Sequence, residues 1–471
     1  MQDPPNCLFR DIRVEGPARP PLVMQIRNSL RAAIESGALR PGARLPSLRD
    51  LAAQLGVARG TVGAAYDGLL EEGLITTAGA AGTFVSDRPA RAASSASVTI
   101  ELPANPIVGG FGLPILPFQT GVPAQDAFPA KLWARIHARA VRAEASAPPS
   151  YPDPCGHHEL RRQVATYLGI ARGIRCVPNQ IIITSGFRAG LALALLVLGA
   201  RGRTALIEDP AFPLMRVGLK VAGVDAVGVP VDQQGIEIGA ATQRFPEAYL
   251  AVVTPGQHAP TGAVMSSRRR TDLLQWARSG DRWIIEDDYL SELQLIGRVA
   301  PALASEDDQG KVIHIGSFSK TMKPSLGIGF LVAPPKVAPK FAEAAACFLP
   351  SPSIASHIAM AQFIADGHYL RHLRKMKRLY GMRLKALLDE VKDEAIDPVA
   401  AGHAVLIRCA PGTSDMDVAR RAAASGLSPT PLSPWFANPA TAEHGLMLGV
   451  TNLRESSARQ SWLMLKPLLR S

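Results

Sequence analysis

The sequence predicts an α/β protein in two unequal parts. A small helical head ends in a hairpin, and a large body is built on a mostly parallel sheet. Three observations predict this. Residues 21–72 carry apolar side chains at helical spacing, and two short strand-like runs follow. Seven β-branched or apolar runs lie between residues 181 and 333, each followed by turn chemistry or a polar cluster. Between the parts, composition shifts to Ala, Ser, Pro and Gly, as in Ala92-Ala93-Ser94-Ser95-Ala96-Ser97, which cannot bury much surface and reads as a linker.

In the head, Val23, Ile26, Leu30 and Ile34 line one face of a helix that Gly37 ends. Arg40-Pro41-Gly42 is a turn. Ser47 caps a short helix over Leu48–Gln54, with Asp50 at its third position in a variant of the capping box. Gly56-Val57 turns the chain into a third helix, Arg59–Glu72, with Val62, Tyr66, Leu69 and Leu70 on one face. Leu74–Thr77 and Thr83–Val85 form the hairpin. Helix, helix, turn, helix, hairpin is the order of a winged helix-turn-helix, whose second motif helix enters the major groove of DNA.

Charge agrees with this. The chain of 471 residues has a net charge of +11. Between Arg19 and Arg59 stand seven arginines and no lysine; the acids Glu35 and Asp50 leave that segment at +5. Arginine suits bidentate contact with phosphate or guanine. A solvated surface with helix ion pairs is the alternative on charge alone.

The chain is too long for one ordinary domain, and 47% hydrophobic residues allow a large core. Its longest apolar run, Leu191–Ala200, is too short to cross a bilayer and reads as a buried helix. Met1–Arg13 has charges and two prolines but no apolar centre, unlike a secretory signal. Cys7, Cys155, Cys176, Cys347 and Cys409 show no CxxC spacing, so neither a disulfide framework nor a zinc site is expected, and the cytoplasm is the expected compartment.

In the body the strand-like runs are Ile181–Thr184, Thr204–Ile207, Ala226–Pro230, Tyr249–Thr254, Trp283–Glu286, Val312–Ile315 and Phe330–Ala333. Ligand sites of such sheets gather at the carboxyl ends of the strands. Arg371–Lys392 reads as a long basic helix, and Val399–Ser471 as a small α+β subdomain. Thr184-Ser185-Gly186-Phe187 is a strand-to-helix turn suited to a phosphate, though a Ser-Gly cap alone is common. Phe212 could stack on a pyridine ring or pack in the core. Thr254–Gly262 is a rigid loop. A lysine among small hydroxyl residues, as in Gly316-Ser317-Phe318-Ser319-Lys320-Thr321, can form a Schiff base with pyridoxal 5′-phosphate. An acid upstream, as in Glu286-Asp287-Asp288-Tyr289, can pair with that cofactor's pyridinium nitrogen.

Gly42–Ala52, Val57–Val62, Tyr66 and Leu69–Ile75 resemble the GntR-type winged helix over residues 18–86. The resemblance implies that Arg44, Ser47, Arg49 and Arg59 contact DNA, that Thr61 binds a phosphate, and that Gly82 lets the wing tip approach the minor groove. Residues 117–470 resemble fold-type I, aminotransferase-like domains, with a small subdomain over about 399–471 and a linker at 87–116 between the parts. The chain as a whole is similar to MocR-type members of the GntR regulators. That resemblance implies Lys320 as the lysine bonded to pyridoxal 5′-phosphate, Asp287 on its ring nitrogen and Tyr289 on its phenolic oxygen. Ser185, Gly186, Phe187, Ser317 and Ser319 would line the phosphate end, and Phe212 would stack.

Some positions depart from the family pattern. Ala58 stands where serine is frequent, and Ala259 where catalytic relatives have asparagine. Gly327 occupies a position usually held by a phosphate-binding arginine, for which Lys323 is the nearby substitute. Losing one charge-assisted contact costs ~1.5–3 kcal/mol, or roughly ten- to a hundredfold in affinity. Leu446–Gly449 lacks the arginine that often clamps a substrate carboxylate. The expected function is a DNA-binding regulator whose body binds pyridoxal 5′-phosphate, an amine or an amino-acid effector. It is expected to work as a head-to-tail homodimer on paired half-sites, with no metal and no catalytic set. An active aminotransferase, and a regulator whose body has lost the cofactor, are the alternatives.

Overall fold

The computed structural model describes residues 20–87, 114–297, 299–392 and 398–469. The chain divides near Gly109 into two compact units. Most of the sequence read as a linker, residues 88–113, lies outside the described residues.

In the first unit α1 (Leu22–Glu35), α2 (Leu48–Leu55) and α3 (Arg59–Glu71) precede the hairpin β1 (Ile75–Thr77) and β2 (Thr83–Val85). Ile26, Leu30 and Ile34 of α1 close on Leu51, Val62, Ala65 and Leu69. Tyr66 is core, and its hydroxyl donates to the Pro46 carbonyl at 3.0 Å. Ser47 caps α2 as its spacing predicts, accepting from the Asp50 amide at 3.2 Å. The Asp50 carboxylate turns to the Ser47 hydroxyl at 2.7 Å instead of reaching the cap's own amide. Ala58 is the N-cap of α3 and offers no side-chain acceptor. The segment after the Arg40-Pro41-Gly42 turn joins the hairpin. Leu45 donates to Thr83 at 2.8 Å, Val85 to Ala43 at 2.9 Å, and Arg44 bridges Phe84. The wing thus has a third strand-like edge beside the two-stranded hairpin that the sequence predicts.

The second unit carries α4 (Ala130–Ser146), α5 (His158–Arg172), β3 (Ile181–Thr184), α6 (Phe187–Val197), β4 (Thr204–Asp209), α7 (Pro213–Val221), β5 (Asp225–Asp232) and β6 (Gly235–Ile236). Then come α8 (Ile238–Arg244), β7 (Leu250–Val253), α9 (Ser267–Arg278), β8 (Trp283–Asp288), β9 (Val312–Ser317) and β10 (Gly329–Val332). The order across the sheet is β3-β10-β9-β8-β7-β4-β5-β6. The pairs from β9 through β8, β7 and β4 to β5 are parallel; β10 runs against both neighbours. β3, β7, β8 and β10 are buried along nearly their whole length, which is why they read as continuous apolar runs. One face packs on α6 and α7, with α10 (Ala338–Phe348), through Leu191, Leu195, Leu219 and Phe341. Trp133, Tyr167, Phe363 and Tyr380 of α4, α5, α11 (Ile354–Ala365) and α12 (His368–Val391) build a second core.

The end of α12 also belongs to a small subdomain. There β11 (Val399–Ala401), β12 (Ala404–Arg408), α13 (Asp415–Ala424), β13 (Thr430–Pro431), β14 (Gly445–Gly449) and α14 (Glu455–Leu465) form an antiparallel sheet with covering helices. Leu384, Leu387 and Trp462 fill its core together with Phe118. Gly449 is obligatory where the incoming chain crosses β14, since a Cβ there would lie 2.3 Å from the Gln119 carbonyl oxygen.

Candidate functional site

In the first unit Arg44, Ser47, Arg49 and Arg59 are exposed, while Thr61 and Gly82 are half-buried. Arg59 is the first residue of α3 and Thr61 its third. A cation at the positive end of a helix is unfavourable unless an anion arrives, and the free N–H groups there suit a phosphate. Gly82, at φ +110°, holds the wing tip against Arg44; a Cβ on it would lie 3.1 Å from the Arg44 Nε. Arg27 and Arg31 are different. Glu72 holds both, with 2.9 Å between Arg31 Nε and its carboxylate. Arg44, Arg49 and Arg59 make no ion pair among the described residues. Ser47, expected on the same interface, is engaged as the α2 cap.

In the second unit the sheet brings the separate motifs to one end. β3 stops at Thr184, and Gly186, at φ +114°, caps α6. β10 starts beside it, so close that a Cβ on Gly329 would lie 2.6 Å from the Gly186 Cα. A Cβ on Gly186 would itself sit 3.8 Å from both the Ser317 and the Ser319 hydroxyl oxygens. Strand end, helix N-terminus and the two serines thus form one small cradle of donors. Ser185 is exposed beside it, and Phe187 is half-buried against the α6 core.

Lys320 follows β9, and its Nζ donates to the Gly121 carbonyl at 2.8 Å. Asp287 is on the neighbouring strand, in register with Ile315. Burial pushes the Lys320 pKa down, with Arg188 acting the same way and Asp287 against both. Burial, then the adjacent Asp288, holds the Asp287 carboxyl well above its ordinary range, with Lys320 opposing. Asp287 makes no side-chain hydrogen bond among the described residues. A buried carboxylate in that condition is stabilised by a cationic partner. Tyr289 is raised by burial and by Asp287, while Gln257 favours its ionisation.

Behind these groups lies a second layer. Arg172 donates to Asp288 at 2.7 Å, and Glu286 pairs with His314 at 2.9 Å while accepting from the Leu303 and Ala304 amides. His258 is buried, with Nε2 at 3.0 Å from the Pro210 carbonyl and Nδ1 at 2.8 Å from the Thr261 hydroxyl. It orders the loop and leaves Ala259 without a polar side chain. Phe212 lies at the start of α7, partly exposed, with its ring 5.9 Å from that of Trp435 in a tilted pair. The Lys323 ammonium sits 5.7 Å above the Phe128 ring.

Gly121, Gln257, Glu208 and Arg188 carry weight that the sequence reading missed. Glu208 ties the loop by accepting from the Thr254 amide and hydroxyl. Among the described residues no group of His, Cys, Asp or Glu could hold a metal ion, and no helix is long and apolar enough to cross a membrane. The donor cradle, the lysine and the unpartnered buried acid fit a phosphorylated pyridine aldehyde.

Comparison with known proteins gives the same two parts. Residues 22–85 match the family described as bacterial regulatory proteins, gntR family, and residues 114–427 match aminotransferase class I and II. The probable rhizopine catabolism regulatory protein MocR of Rhizobium meliloti is 32% identical over 93% of this chain and 92% of its own. The HTH-type pyridoxine biosynthesis transcriptional regulator PdxR of Corynebacterium glutamicum is 32% identical over 93% of this chain and 94% of its own. A kynurenine aminotransferase structure from Pyrococcus horikoshii superposes with a TM-score of 0.70 at 21% identity, covering 79% of this chain and 95% of that one, and so shares the fold of the second unit.

Proposed function

The chain belongs to the MocR-type regulators of the GntR family, and from that membership we propose how its two units act together. The first unit binds an operator through Arg44, Arg49 and Arg59, with Thr61 and Gly82 fitting the backbone and minor groove. The second unit holds pyridoxal 5′-phosphate and senses it, or senses an amine or amino acid that reacts with it. When bound, the cofactor supplies an aldehyde open to amines and an electron-withdrawing ring.

The chain's own residues do the rest. Lys320 supplies the amine, and its depressed pKa keeps more of it neutral and nucleophilic. Asp287 would pair with the ring nitrogen, and Tyr289 would donate to the phenolic oxygen. Gly186, Ser317 and Ser319 would hold the phosphate, with Ser185 and Phe187 beside them, and Phe212 would stack on the ring. A ligand can change operator affinity only by favouring one arrangement of the DNA-binding units over another. One winged helix reads a short site, so a homodimer on paired half-sites is the working unit, arranged head to tail in the cytoplasm.

The observation that carries this reading is the convergence of Gly186, Ser317 and Ser319 at the strand ends that also carry Lys320 and Asp287. Its test is borohydride trapping of protein incubated with pyridoxal 5′-phosphate. A trapped adduct that Lys320→Ala abolishes, with operator binding kept, is the expected result. An adduct that survives in Lys320→Ala moves the bond to another lysine. Intact Lys320, Asp287 and Tyr289 favour one second reading, a working aminotransferase. Ala259 and the uncharged β14 stand against it, and robust multiple turnover of an amino acid would reverse the order.

A further inference from the structure

We propose that Arg188 is the cation that clamps the cofactor's phosphate in this protein. The inference rests on the cofactor reading above and concerns how the phosphate is held. A phosphate brings a charge of about −1.5 to −2 at neutral pH. The cradle that meets it is made of neutral donors: Ser317, Ser319 and the first N–H groups of α6. A helix N-terminus carries only about half a positive charge. A nearby side-chain cation is needed to offset the remainder.

Three positions close in sequence or space could provide one. Position 327 is a glycine at φ +57°, ending the short turn Pro324–Leu326. Lys323 is placed over the Phe128 ring. Arg188 lies two residues after Gly186, in the first turn of an eleven-residue helix whose cap faces both serines. Its side chain is exposed, not packed into the core. Its positive charge also opposes protonation of Lys320, so the two cations are coupled. A guanidinium there can take two phosphate oxygens at once, which a point-charge lysine cannot.

The test is equilibrium binding of pyridoxal 5′-phosphate and of pyridoxal, which lacks the phosphate, followed by visible absorbance and by dialysis. For the wild-type protein the phosphorylated compound binds far more tightly. Arg188→Gln weakens the phosphorylated compound by about ten- to a hundredfold and leaves pyridoxal unchanged. Adding Gly327→Arg to that variant restores much of the loss. No atom lies within 4 Å of a Cβ at 327, so the new side chain has room despite its left-handed backbone. Equal loss for both compounds, or no loss for either, overturns the assignment. Wild-type protein that binds the two equally also overturns it, while leaving the Lys320 reading in place. Wild-type protein that binds neither compound sinks the cofactor reading and this inference together.

Discussion

Arg44, Arg49 and Arg59 of the first unit stand exposed with no ion pair among the described residues, whereas Arg161, Arg172, Arg270 and Arg383 of the second are buried, each held by an acid. The same residue type thus serves opposite ends. A guanidinium in water contributes little to folding and keeps its donors for a ligand. A buried one is structural, and at Arg172 removing it would strand the charge of the buried Asp288. Charge counted along the chain cannot separate the two cases; burial and pairing can.

The sharpest way to break this comparison is at Arg172, whose Nε donates to the buried Asp288 at 2.7 Å. Arg172→Ala should destabilise the second unit by about 3–5 kcal/mol and leave the first unit's unfolding alone. A thermal melt with an unchanged second-unit transition would refute the structural role. Arg59→Ala should do the reverse. Operator binding should weaken by about 1–3 kcal/mol with relaxed sequence preference, while stability stays within about 0.5 kcal/mol. A gel shift identical to wild type would remove Arg59 from the recognition surface.

Acid sharpens the contrast further. All ten histidines of the chain lie beyond residue 136, so the first unit has none. Burial holds His357 and His403 down to about 4. Burial also lowers His157 and His372. Between about 6.5 and about 4 these histidines take up protons in the unfolded chain but not in the folded second unit, so their contribution to its stability falls as pH falls. His314 works the other way: burial alone would lower it, but Glu286 and Asp288 keep it raised. Its contribution is present in acid and fades as pH rises. Asp287 and Glu292, both raised by burial, act in the same sense as His314. All these groups belong to the second unit, so calorimetry over this window should show its transition moving with pH much more than the first's; parallel shifts would contradict the assignment. The smallest effect is expected at Ala58. Serine there would give α3 the cap acceptor it lacks and stabilise the first unit by about 1 kcal/mol. A lower melting temperature would show that another contact is disturbed.

Much of this was legible before the structure. Parallel strands buried on both faces must be apolar throughout, so Tyr249–Thr254 and Trp283–Glu286 announce themselves. The lysine and aspartate motifs lie at strand ends, and the sheet makes their neighbourhood predictable. What stayed hidden depends on chain crossings with no local signature. Lys320 meets a backbone carbonyl at Gly121, 199 residues away, and any residue type offers a carbonyl. Gly42–Leu45 joins the wing through backbone bonds alone. Lys323 and Arg188 are both basic and both near the motifs; only the fold shows that one leans on Phe128 while the other opens α6 next to Gly186.

The Phe212–Trp435 contact has a practical sequel. The five indoles of the chain, at 133, 276, 283, 435 and 462, all belong to the second unit, and Trp435 touches the aromatic residue that leads into α7. Tryptophan emission from the native protein therefore arises in the second unit alone. If adding an operator fragment changes that emission, the signal has crossed from one unit to the other, with no dye attached and no residue replaced.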